Sequence, residues 1–139
     1  ELRLKLGSIF SVEINRNIQI MEQSFSFSLG YPTGIDMIFD CRFLKNPNWV
    51  EDLKNLNGTD EAVKKYLDKD ESWAAFKKNL FQMISIVIPA FEREGKSYLS
   101  IGLGCTGGQH RSVFVAEQLY DYLLNKDCDV KILHTILQK

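Results

Sequence analysis

A surplus of positive charge is missing from this chain: 17 lysines and arginines stand against 18 acidic residues, for a net charge of -1. A domain that grips nucleic acid through its phosphates carries a basic excess or a basic stripe. Lys64-Lys65 and Lys77-Lys78 are only short pairs with acidic residues close by, as on a solvated helix face. Cysteine is scarce as well. Cys41, Cys105 and Cys128 are odd in number, far apart and without CxxC spacing, which argues against a disulfide framework and a structural zinc site. A reducing compartment, the cytoplasm, is the expectation. No apolar run approaches the length that spans a bilayer, and no signal-peptide pattern is present. Internal repeats, low-complexity tracts and Pro/Gly/Ser-rich linkers are also absent. The chain opens on Glu1 rather than methionine, as expected of a piece cut from a longer protein.

What is present suffices for one core. The 139 residues are 45% hydrophobic, and 25% are charged, close to the globular average. Residues 1–17 read as a leader, with Leu4, Ile9 and Phe10 as apolar contacts in what looks like the tail of a helix. A single domain is expected over 18–139. Residues 18–27 alternate as a strand, with Met21, Phe25 and Phe27 on one parity and mostly polar residues beyond Ile20 on the other. A turn at 30–34 precedes a second strand over 35–41, and Asn46-Pro47-Asn48-Trp49 breaks regular structure.

Thr59 as cap, with Asp60 and Glu61 in the first turn, predicts a short helix over 60–67. Residues 72–91 form the clearest helix, with Trp73, Phe76, Leu80, Met83, Ile84, Val87 and Phe91 as its apolar stripe. Pro89 is expected to bend or fray its last turn. A buried strand over 97–104 sends Leu99, Ile101 and Leu103 one way. Ser100, Gly102 and Gly104 leave room on the other face for a backbone or a ligand. A helix from about 110 to 125, burying Val113, Ala116, Tyr120, Leu123 and Leu124, and a strand over 129–134 complete a right-handed strand–helix–strand crossover. The fold class is α/β, with a small mixed or parallel sheet of about four strands flanked by helices.

The chemistry sits in the loop Cys105-Thr106-Gly107-Gly108-Gln109-His110-Arg111-Ser112, between strand and helix. Gly107 and Gly108 let the backbone curl so that successive N–H groups point inward. The helix adds its unsatisfied N–H groups and the positive end of its dipole. Arg111 offers a two-pronged donor, Thr106 and Ser112 offer hydroxyls, and His110 a switchable donor. It is not a Walker-type loop, because the GxxxxGK[ST] spacing and its lysine are missing. The same residues also spell Cys-x-x-Gly-x-x-Arg-Ser, the loop of cysteine-dependent phosphatases, with Cys105 as nucleophile and Arg111 as oxyanion holder. Gly104 stands where those enzymes usually carry histidine, and Asp36 and Asp40 are the candidates for the aspartic general acid they need. Asp40 and Arg42, at the carboxyl end of the second strand, are placed to face this loop, the other reading being a structural pair of Asp40 with Arg42 or Arg111. His134, at the end of the last strand, reads as a surface or edge residue.

Several segments together resemble the C-terminal domain of the RapZ family over about residues 18–137. They are Phe25-Ser26-Phe27, the run from Phe39 to Trp49, Leu56-Asn57-Gly58, and the run from Gly95 to Val113 with Gly-Cys-Thr-Gly-Gly-Gln-His-Arg-Ser-Val at its end. The resemblance implies a pocket for glucosamine-6-phosphate formed by Asp40, Arg42, Cys105, Thr106, Gly107, Gly108, His110 and Arg111. It also implies binding of small regulatory RNA, self-association, and a P-loop ATPase-like domain preceding this one in the parent protein. Ser28 stands where the family has lysine, and Asn48 where it often has histidine; both losses weaken the RNA reading. The ligand expected is a phosphate, sulfate or sugar phosphate, held by Cys105 through Ser112 with Asp40 and Arg42. No cofactor, metal or membrane is required, and the sheet edges leave room for a homo-oligomer.

Overall fold

The computed structural model describes residues 18–137, so the expected leader over 1–17 lies outside the described residues. Within them lie strands β1 (Gln19–Ser26), β2 (Met37–Asp40), β3 (Tyr98–Cys105) and β4 (Asp129–His134), with helices α1 (Glu61–Asp68), α2 (Glu71–Arg93) and α3 (Arg111–Asn125). The four strands form one sheet in the order β2-β3-β1-β4, and every pairing is parallel. The connections β2–α1–α2–β3 and β3–α3–β4 travel the same way along this sheet. Right-handed crossovers of that kind put their helices on one face. The connection from β1 back to β2 travels the other way, and its residues cover the opposite face.

That second face corrects one reading of the sequence. The space beside Gly102 and Gly104 is taken by side chains of the protein itself: a Cβ at Gly104 would collide with the rings of Phe25 and Phe27, and one at Gly102 would press on Ile35 and Phe25. The small residues admit aromatic packing, not a ligand. β1 departs more sharply. Its polar parity, Glu22, Ser24 and Ser26, is fully buried, whereas Met21 and Gln23 are half-buried. The cause is position: β1 is an interior strand, and interior parallel strands are covered on both faces.

Helix signals read more faithfully. α2 buries Trp73, Leu80, Ile84 and Ile88, while Met83 is turned to solvent. It runs past Pro89 to Arg93 without ending early. In α3, Leu119 and Leu123 are buried, Tyr120 is half-buried and Leu124 exposed. Thr59 does not cap α1. Its amide and hydroxyl both donate to Asn57 Oδ1, Asp60 takes the cap position, and the Asp60 carboxylate accepts from the Asn57 amide instead. Asp70 does cap α2, accepting from the Ser72 amide at 2.9 Å, and its other oxygen accepts from the Lys45 amide at 2.7 Å.

Candidate functional site: an anion cradle at the start of α3

All four strands point their carboxyl ends the same way, and in a parallel α/β sheet ligands sit in the crevice there. The loop between β3 and α3 occupies that position. Its shape is fixed from three sides. At the β1 side, the Thr106 carbonyl accepts from the Ser26 hydroxyl at 2.6 Å and from the Ser28 amide at 3.3 Å. Gly108 has φ +71°, and a Cβ on it would collide with Ile136 and crowd the backbone between Phe25 and Ser26, so only glycine fits. Gly107 carries no such constraint, since a Cβ there would meet nothing within 4 Å.

On the far side the loop is tied to residues 53–58. Gln109 donates its side-chain amide to the carbonyls of Leu56 (2.6 Å) and Lys54 (3.0 Å), and the Gly58 amide donates to the Gln109 carbonyl at 3.0 Å. Gly58 lies so close to α3 that a Cβ would strike the His110 carbonyl and the Phe114 amide. His110 Nε2 lies 3.1 Å from the Leu53 carbonyl, which can only accept, so this nitrogen carries the proton. Burial lowers the His110 pKa from its ordinary value, with the neighbouring Arg111 acting in the same direction and backbone carbonyls opposing. The ring is therefore a neutral, structural donor near neutral pH.

Arg111 is the centre of the site. It is only 5% exposed. Nη1 donates to the carbonyls of Arg42 (2.8 Å) and Leu44 (3.1 Å), and Nη2 lies 3.4 Å from the Thr106 hydroxyl. A guanidinium has five N–H groups. With three engaged, one on Nη2 and the one on Nε remain. Among the described residues no carboxylate pairs with it within ion-pair distance. The amides of Gly107, Gly108 and Gln109 also find no acceptor among the described residues. Cys105 Sγ accepts from the Ser112 amide at 3.3 Å, with the Ser112 hydroxyl 3.2 Å away.

These groups border a cavity of about 160 Å³. Cys105, Thr106, Gly107, Gln109, His110 and Arg111 line it, joined by Asn46 and Asn48. Gly108 and Ser112 stand behind the wall and hold its shape. Asp40 and Arg42 are not in the lining. Arg42 folds back on Asp40 at 2.7 Å and stacks over the Phe27 ring at 4.1 Å. The Arg42 side chain holds the Asp40 carboxyl below the usual range. Asn46 and Asn48 were not singled out as lining from sequence. The available signal was the Asn-x-Asn turn: Asn46 accepts from the Asn48 amide at 3.0 Å and opens a short 3-10 turn (Pro47–Trp49).

Comparison with known proteins follows the same lines. Residues 18–138 match the family model described as the RapZ C-terminal domain. A nucleotide-binding protein of Cereibacter sphaeroides is 45% identical over 139 residues, 100% of this chain and 46% of the relative. A nucleotide-binding protein of Roseobacter denitrificans is 44% identical over 134 residues, covering 96% and 45%. One of Citrifermentans bemidjiense is 38% identical over 136 residues, covering 98% and 47%. The chain thus spans about half the length of the curated relatives it matches.

Proposed function

The chain belongs to the RapZ C-terminal domain family, and on that footing we propose that it is a regulatory domain whose loop seats the phosphate of a small metabolite, an amino-sugar phosphate such as glucosamine-6-phosphate. The observation that carries this reading is Arg111, a buried guanidinium with no carboxylate partner among the described residues, opening on a cavity lined by unpaired amides. Buried charge without a counter-charge is costly, and an anion in this cavity supplies one. Size narrows the ligand. Pockets that enclose a whole drug-sized molecule run to roughly 300–1,000 Å³, so about 160 Å³ suits a phosphoryl head with the sugar at the mouth.

Binding is favoured over phosphatase chemistry because no carboxylate lines the cavity. Asp40 is engaged by Arg42, and Asp36 by Ser100 at 2.8 Å and Lys96 at 3.1 Å. Neither stands ready as a general acid. Calorimetric titration with phosphate, glucosamine-6-phosphate, glucosamine and glucose-6-phosphate tests the reading. Glucosamine-6-phosphate is expected to bind better than phosphate or glucosamine alone. Arg111→Ala is expected to weaken phosphate binding by about 1.5–3 kcal/mol, the worth of hydrogen bonds to a charged group. Failure of every phosphorylated compound to bind would end the proposal, as would turnover of an aryl phosphate abolished by Cys105→Ser.

RNA is a second reading, and Trp49 favours it. Its side chain is 83% exposed beside the cavity residue Asn48, and an exposed ring can stack on a base. Such binding should fall steeply with salt; a flat salt response would remove it.

A further inference from the structure

Two of the three cysteines meet across the sheet beside the cradle, and nothing in the anion-binding reading uses their sulfurs as a pair. The Cys41 amide donates to the Gly104 carbonyl at 2.7 Å. This continues the β2–β3 register one step beyond Asp40↔Gly104, so Cys41 lies level with Cys105. In that register Met37, Phe39 and Cys41 share a face with Ile101, Leu103 and Cys105. Adjacent strands lie about 4.8 Å apart, within the Cα separation of about 4.4–6.8 Å that a disulfide bridges. Both thiols are free and buried. Cys105 alone of the two lines the cavity; its sulfur accepts from the Ser112 amide at 3.3 Å, and its thiol donates to the Ser112 hydroxyl at 3.2 Å.

We propose that Cys105 is a site of reversible oxidation by a small hydroperoxide that enters the anion cavity, with Cys41 as the resolving thiol. In the first step the Cys105 sulfur, having given up its proton, attacks one peroxide oxygen. The O–O bond breaks, the departing hydroxide takes the proton, and Cys105 sulfenic acid and water result. In the second step Cys41 Sγ attacks Cys105 Sγ, and the S–O bond breaks. Hydroxide leaves with the Cys41 proton as a second water. Two thiols lose two electrons in all, and one hydrogen peroxide is reduced to two waters.

The elements allow the closure. β2 is an edge strand and Cys41 lies just past its last residue, so a small shift there disturbs one end of one ladder. The bond draws Cys105 Sγ away from Ser112 and so reshapes the floor of the cradle. Cys128, in the connection between α3 and β4, serves as an internal control: it is buried in the separate hollow beside Ser85, Ile88 and Leu123.

The test treats the full chain with hydrogen peroxide, alkylates the remaining thiols and maps the cysteines by peptide mass spectrometry. A Cys41–Cys105 cross-linked peptide, reversed by dithiothreitol and still formed in Cys128→Ala, is the expected result. In Cys41→Ala the expected product is a dimedone adduct on Cys105, which reports the first step even if the second is blocked. Oxidation confined to Cys128, or a wild-type protein in which Cys105 remains alkylatable after peroxide, overturns the proposal. These readouts do not depend on which phosphate compound, if any, the cavity holds.

Discussion

At Gly108 the backbone and the surroundings make the same demand. Its φ of +71° costs an L-residue roughly 1–2 kcal/mol, and a Cβ would also strike Ile136. Gly108→Ala is therefore expected to lower stability by about 1–2 kcal/mol or more, read from urea unfolding. Gly107→Ala, with nothing within 4 Å of the added carbon, should leave stability within about 0.5 kcal/mol. Equal destabilisation by both would contradict the account of the loop. The sequence presents the two glycines as equivalent, and only the approach of β1 and Ile136 separates them. Arg111 is the converse case: its chemistry is legible from residue type and spacing, but its anchoring to the carbonyls of Arg42 and Leu44 is a long-range fact.

Among the elements, the cradle depends on the segment after β2 as much as on α3. Asp70 holds that segment through the Lys45 amide while capping α2, and Arg111 holds it at the Arg42 and Leu44 carbonyls, three residues and one residue earlier. Loss of an N-cap costs about 0.5–2 kcal/mol. Asp70→Ala is thus expected to destabilise by about 1–2 kcal/mol in urea unfolding while weakening phosphate binding less than Arg111→Ala does. The reverse order in binding would show that Asp70, not Arg111, sets the site.

Elements with a local signal were readable in advance. The period of α2, the strand–loop–helix junction and the 129–134 strand all declare themselves within a dozen residues. What the period could not give was the sheet order, and with it the burial of the polar side of β1. Asp40 and Arg42 show the same boundary. Their place at a strand end follows from the sequence, but the folding of Arg42 onto Asp40 and Phe27 does not.

For the molecule as a whole, the unusual feature is Glu22, fully buried in the middle of the sheet with neither carboxylate oxygen hydrogen-bonded among the described residues. Burial, then the charges of Glu117 and Asp121, raises its pKa well above the ordinary value. The native state therefore keeps a proton that the unfolded chain releases above its own pKa of about 4.3. Where the native state binds more protons, stability falls as pH rises. The loss begins near the unfolded value and continues up to the raised native one. Glu22→Gln removes the proton-linked part, so the melting temperature of the variant should rise relative to wild type as pH increases from about 5 to 8. A difference that is constant over this range would show that Glu22 does not hold its proton on folding.

The central claim is that the amides at the start of α3 and the buried Arg111 form one anion site, and amide NMR tests it most directly. Titration of inorganic phosphate into the isotopically labelled chain should move the Gly107, Gly108 and Gln109 resonances together, saturably, and Arg111→Ala should shift that saturation to phosphate concentrations higher by roughly tenfold or more. Saturable shifts elsewhere with these three amides unmoved would contradict the account.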